Sequence, residues 1–177
     1  GMNFSVINLI EKTVKHRRDT FGGKLPVSIL SEPLYGRYLD AVFDATKMVR
    51  TVRALRRRTD KPIWVLPQAM PLHWALQREG KRFDDVRAVV DAGEAERTLA
   101  DFERQLARLE ADGIGVVRQP AETLAAPMFT RPEFGLADPA DTAEDSLYAR
   151  GDFYHMNADY GRAHMGALLR DGLGLKV

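Results

Sequence analysis

Short apolar runs of strand length alternate with longer stretches of helical periodicity in this chain, and that order restricts its possible folds more than any single residue does. The runs are L-P-V-S-I-L at residues 25–30, K-P-I-W-V-L-P at 61–67 and I-G-V-V at 114–117. Each is bounded by glycine or proline and reads as a buried strand. Between the first two, residues 38–58 place Ala41, Ala45, Met48, Val52 and Leu55 on one stripe with arginines opposite, predicting one long helix. Between the second and third, a helix is expected over about 92–111, with Ala95, Leu99, Phe102, Leu106 and Leu109 on its apolar face and Asp112-Gly113 at its end. A strand, a helix and a strand in this order form a βαβ unit, which requires parallel strands.

The flanks fit the same scheme. Val6, Leu9, Ile10 and Val14 recur at helical spacing within residues 4–19, and a basic run then precedes Gly22-Gly23. Residues 120–152 hold four prolines and the acids Asp138, Asp141, Glu144 and Asp145, so they read as mostly loop with one helical turn near Glu122. A final amphipathic helix is expected over 158–169. The predicted fold is one α/β domain over residues 1–177, a three-layer α/β/α sandwich with a mainly parallel, doubly wound sheet. Ligands of such sheets bind beyond the carboxyl ends of the strands.

Composition narrows the chemistry. With 177 residues, 45% of them hydrophobic, the chain is long enough to bury a core without covalent staples. It has no cysteine, which excludes disulfides and thiolate metal sites. Twenty-six basic against twenty-five acidic residues give no global reason to expect nucleic acid or an anionic membrane as partner, and neither is expected. No apolar run approaches the ~20 residues that span a bilayer. The expected location is cytoplasmic, with no cofactor and no metal.

The chemistry-bearing segment is G-D-F-Y-H-M-N-A-D-Y-G at 151–161. A carboxylate three residues before an imidazole can accept a hydrogen bond from one ring nitrogen, fixing the tautomer and leaving the other nitrogen as a general base. Asp152 and His155 form such a pair. The same residues also suit a structural role, with Asp152 or Asn157 capping the final helix.

Taken with the element order, the D-x-x-H-x-N-x-x-x-G block resembles the C-terminal half of the SGNH or GDSL hydrolase superfamily. Asp152, His155, Asn157 and Gly161 occupy the matching places. The resemblance implies a serine esterase acting on an acyl ester, possibly of a carbohydrate or lipid, with His155 as base, Asp152 as its orienter and Asn157 near the substrate. The family's Gly-Asp-Ser and Gly-x-Asn-Asp blocks have no counterpart here, and Ser31-Glu32 stands where Asn-Asp is expected. Three explanations follow: a serine lying upstream of this sequence, a relative without the chemistry, or Ser31 as a relocated nucleophile. A non-catalytic protein of the same fold, binding a ligand or partner, is the competing reading.

Ser31 ends a predicted strand, where a nucleophile elbow would sit, yet it lacks the tight glycine turn that exposes such a serine. Its other role is a turn residue or N-cap ahead of Pro33. Ser28 and Ser5 are weaker candidates. His73 follows the predicted Val65-Leu66 strand end, which places it either at the ligand crevice or packed beside Trp74. His164 does not share a helical face with His155, so the two make a poor metal pair. His16 falls in the basic run at 15–18. That run and Arg56 to Arg58 both sit at predicted helix C-termini, where the helix dipole accounts for cations.

Overall fold

In a computed structural model, the structure describes residues 5–13, 16–17, 28–126 and 128–175. Helix α1 (Val6–Thr13) is followed by strand β1 (His16–Arg17), strand β2 (Ser28–Ile29), and helices α2 (Glu32–Asp44) and α3 (Lys47–Arg56). Strand β3 (Trp64–Val65), a 3-10 turn at His73–Gln77, and helices α4 (Lys81–Asp91) and α5 (Ala95–Ala111) come next. Then come β4 (Gly115–Val116), β5 (Leu124–Ala126), β6 (Phe129–Thr130) and helix α6 (Ala158–Ala167), whose last turn widens into a π-helix over Leu168–Gly172.

The chain is therefore a mixed helix and strand protein, dominated by helix. Among the described residues the strands form three two-stranded pairs: β1–β2 and β3–β4, both parallel, and β5–β6, antiparallel. The expected pairing of residues 25–30 with 61–67 is not among them, since β2 lies beside β1 and β3 beside β4. The βαβ unit that forms is β3–α4–α5–β4. Residues 25–27, 14–15, 18 and Gly22-Gly23 of the predicted elements lie outside the described residues.

Several expected elements are corrected. The first helix ends at Thr13, and His16–Arg17 is a strand rather than its basic C-terminus. The long helix over 38–58 is two helices, because Thr46 leaves helical geometry at φ −67°, ψ 142° and caps α3, its Oγ1 accepting from the Val49 amide at 3.4 Å. The break changes the phase of the apolar stripe. Tyr35, Leu39, Phe43 and Val49 are buried, whereas Ala41, Ala45 and Leu55 of the expected stripe are exposed.

Helix α4 was not foreseen, and residues 92–94, expected to open the next helix, instead close it. Gly93 takes φ +71°, its amide bonds the Val90 carbonyl, and the Glu94 amide bonds the Val89 carbonyl. That is a Schellman closure, which favours a residue without Cβ. Within 120–152 the helical turn near Glu122 forms at Ala121–Thr123, accompanied by the β5–β6 pair.

One core gathers α1, α2, α4 and α5 around Val65 and Val116 of the β3–β4 pair. Trp64 and Gly115 point to the opposite face, because side chains alternate along a strand. A Cβ on Gly115 would lie 2.2 Å from the Trp64 ring, so glycine is what lets the indole lie across the pair. On that face Gly172, in the π-helical turn, also approaches the indole. A smaller cluster of Leu72, Ala75, Ala137 and Phe153, with Phe83, Tyr148 and Met156 against it, lies under the chemistry-bearing segment.

Candidate functional site

The Asp152 and His155 block is held by local rules at each end. Ser146 starts a single helical turn, its Oγ accepting from the Ala149 amide at 3.1 Å. Gly151 ends that turn at φ +68°, with its amide on the Tyr148 carbonyl and the Asp152 amide on the Leu147 carbonyl. Phe153 is then fully buried and meets Phe83 and Tyr148 edge to face, at centroid distances of 5.6 and 5.7 Å. Its carbonyl accepts from the Leu72 amide, and the His155 carbonyl accepts from the Leu136 amide. Asn157 caps α6, its Oδ1 accepting from the Asp159 and Tyr160 amides at 3.0 and 3.1 Å. Its Nδ2 donates to the Glu133 carbonyl at 2.7 Å.

On this anchored backbone the two side chains meet. His155 Nδ1 lies 2.6 Å from Asp152 Oδ2, while Asp152 Oδ1 accepts from the Tyr154 amide at 3.4 Å. An ionised carboxylate only accepts, so in the neutral ring Nδ1 carries the proton and Nε2 is left as the basic nitrogen. The His155 side chain is 73% exposed and that of Asp152 only 23%. The basic nitrogen thus stands on a solvent-facing ring, with its orienting carboxylate tucked behind it.

No serine completes this arrangement among the described residues. Ser5 is buried and caps α1, accepting from the Asn8 amide at 3.3 Å. Ser31 is exposed at the head of α2 and makes no side-chain cap bond, while its carbonyl accepts from the Tyr35 amide. Ser146 is used in its own turn, and Ser28 belongs to β2. None of the hydroxyls described donates to His155.

The remaining candidates separate from the pair. His73 opens the 3-10 turn and stacks on Trp74 with ring centroids 4.0 Å apart. His164 is buried, and its Nε2 lies 3.0 Å from the Val117 carbonyl. Parallel pairing explains that contact. The Gly115 and Val117 amides donate to the Ile63 and Val65 carbonyls at 2.9 Å, so the next bond should run from residue 67 to the Val117 carbonyl. Residue 67 is proline and has no N–H, and His164 supplies the missing donor. Arg56 is likewise structural, its guanidinium donating to the Thr59, Lys61 and Gly113 carbonyls.

Among the described residues no group of His, Asp and Glu is arranged to hold a metal ion, and no helix is long and apolar enough to cross a membrane. The residues that sequence reasoning missed are Ser146, Gly151 and Phe153. Their signal was present as S-L-Y-A-R-G-D-F, a serine cap and a glycine stop one turn apart, inside a stretch read as loop.

Compared with known proteins, the chain matches no family model, no curated protein and no solved structure. Fold and site together define a mixed helix and strand protein carrying a solvent-facing imidazole hydrogen-bonded to a carboxylate.

Proposed function

We propose that the protein is an SGNH-like hydrolase of a small acyl ester, of the carbohydrate or lipid type, with His155 as general base and Asp152 as the residue that orients it. The observation that carries this reading is the 2.6 Å bond from His155 Nδ1 to Asp152 on a backbone fixed at both ends, with the ring open to solvent. In the reaction His155 Nε2 takes the proton of the attacking hydroxyl or water as its oxygen adds to the ester carbonyl, Asp152 stabilises the imidazolium that forms, and the imidazolium returns the proton to the departing alkoxide as the ester C–O bond breaks. No cofactor is needed for this step, and a cytoplasmic setting suits a chain without cysteine. The finer architecture proposed with it is the three-layer, doubly wound sandwich. Its support is the parallel sense of β1–β2 and β3–β4, and the packing of helical residues on both faces of β3–β4.

A second reading, a non-catalytic relative that binds a ligand or partner, is favoured by one specific observation. Among the described residues no serine hydroxyl reaches the His155 ring. Hydrolysis of a p-nitrophenyl ester panel separates the two. The hydrolase reading expects turnover that falls by about 10²-fold or more in His155→Ala and in Asp152→Asn, the range of general-base catalysis. Ser31→Ala tests the relocated nucleophile and should leave the rate unchanged, because nothing joins Ser31 to His155. Absence of turnover in the unaltered chain would leave the binding reading.

A further inference from the structure

Net charge hides a segregation of charge that becomes visible once the paired arginines are set aside. The twelve residues from Lys47 to Arg58 contain six cations and no acid. Two of the six are consumed internally. Arg53 bridges Asp44 and Asp112, both at 2.6 Å, and Arg56 clamps three carbonyls at the end of α3. Lys47, Arg50, Arg57 and Arg58 are exposed and have no hydrogen-bonding or ion-pair partner among the described residues.

Their placement is not what helix stability asks for. Cations suit the C-terminus of a helix, which accounts for Arg57 and Arg58, but Lys47 and Arg50 stand in the first turn, where the dipole is positive and where α3 has no acid. Lys47 and Arg50 are also like charges at i, i+3 spacing, a mutually repulsive arrangement. Lys47, Arg50 and Arg57 fall within a sector of about 80° along roughly 15 Å of helix, with Arg58 continuing the line. Ala54, between them, is too small to screen them. Asp60, two residues beyond, is the nearest acid in sequence without a partner among the described residues.

We propose that this face of α3 binds the phosphodiester backbone of nucleic acid without reading its sequence. A protein partner is disfavoured because Leu55, the exposed large apolar side chain of α3, stands about 140–160° round the helix from Arg50 and Arg57, which leaves the stripe itself a charged rim without the apolar core that protein interfaces need. A bilayer surface is disfavoured because the apolar side of α3, Met48, Val49 and Val52, is packed into the core and leaves no apolar face to insert. Three of the four are arginines, whose planar fork meets phosphate in a bidentate manner. The face carries no amide or aromatic side chain to address base edges or stack on bases. The overall charge of +1 does not oppose this, because Asp44 and Asp112 beside α3 are bridged by Arg53, and four further acids are exposed away from it at Asp138, Asp141, Glu144 and Asp145.

The test is fluorescence anisotropy of a labelled 20-base-pair DNA duplex with the full chain over 50–200 mM salt. Four phosphate contacts predict a slope of log affinity against log salt of about −3.6, hence a loss of about a hundredfold across that range. The double reversal Arg50→Glu/Arg57→Glu should weaken binding at 50 mM salt more than tenfold, and the neutral pair Arg50→Gln/Arg57→Gln should bring the slope to about −1.8. Arg162→Glu on α6, which changes net charge by as much as the neutral Arg50→Gln/Arg57→Gln pair, should leave binding near that of the unaltered chain. Circular dichroism checks that each variant is folded. The proposal is overturned by no binding at 50 mM salt, by equal binding of both Arg50/Arg57 pairs and the unaltered chain, or by capture on phosphatidylserine vesicles without binding to the duplex.

Discussion

His164 offers the sharpest test of how the fold is closed. Pro67 ends the β3–β4 ladder one bond early, and His164 Nε2 supplies the donor to the Val117 carbonyl at 3.0 Å, from a side chain in a residue only 6% exposed. Replacing it with leucine removes a hydrogen bond worth about 1 kcal/mol and leaves a buried carbonyl whose lost solvation costs a further ~1–3 kcal/mol. Leucine retains much of the packing against Tyr160, whose ring lies 5.4 Å from that of the histidine, so the expected loss is about 2–3 kcal/mol. For a domain of this size that lowers Tm by roughly 5–10 °C, read by calorimetry alongside urea unfolding. Pro67→Ala restores an amide at the position from which the ladder would have bonded Val117. In a double-mutant cycle it should recover part of what His164→Leu loses, with a coupling above 0.5 kcal/mol by the usual scale of interacting pairs. Two results would refute the reasoning: His164→Leu within ~0.5 kcal/mol of the unaltered chain, or full additivity with Pro67→Ala.

Two further outcomes follow from buried and paired groups. The Tyr160 hydroxyl is buried without a hydrogen-bond partner among the described residues, and burial holds its ionisation well above the ordinary range, so Tyr160→Phe should stabilise the protein by about 1 kcal/mol and raise Tm by roughly 2–4 °C on thermal melting. Glu110 is held below the ordinary value of 4.5 by hydrogen bonds from Arg118, at 2.6 and 3.0 Å. Its folded pKa is depressed, so its stabilisation is present above pH 4.5 and is lost as pH falls through the folded pKa. Both side chains are about 40% exposed, which discounts the pair to less than about 1 kcal/mol. Glu110→Gln should therefore lower stability at pH 7 by a few tenths to 1 kcal/mol in urea titrations, with the difference shrinking toward pH 3.

The acid–base pair was legible from sequence because it is local. Asp152 and His155 are three positions apart, and a polar pair at that distance can close its bond within one turn of chain. Asn157 as a cap and Asp112-Gly113 as a helix stop are visible for the same reason, since capping depends on a few consecutive residues. What surrounds the pair was not legible. Phe153 is a core residue only because Phe83 and Tyr148, from distant or irregular segments, meet it. The split at Thr46 escaped the periodicity because helical spacing on either side continues in sequence while the chain direction changes.

By itself, then, the sequence determined a mixed helix and strand chain, the parallel sense of the strands within 61–67 and 114–117, and an aspartate placed to orient a histidine, because each rests on periodicity or on neighbours in the chain. Only the tertiary structure decided which strands pair, which arginines are spent on carbonyls and carboxylates, and that a histidine ninety-seven positions from Pro67 completes its ladder. The physical reason is that a backbone donor missing at one position must be made good by whatever the fold brings within 3 Å, and sequence spacing does not record that distance.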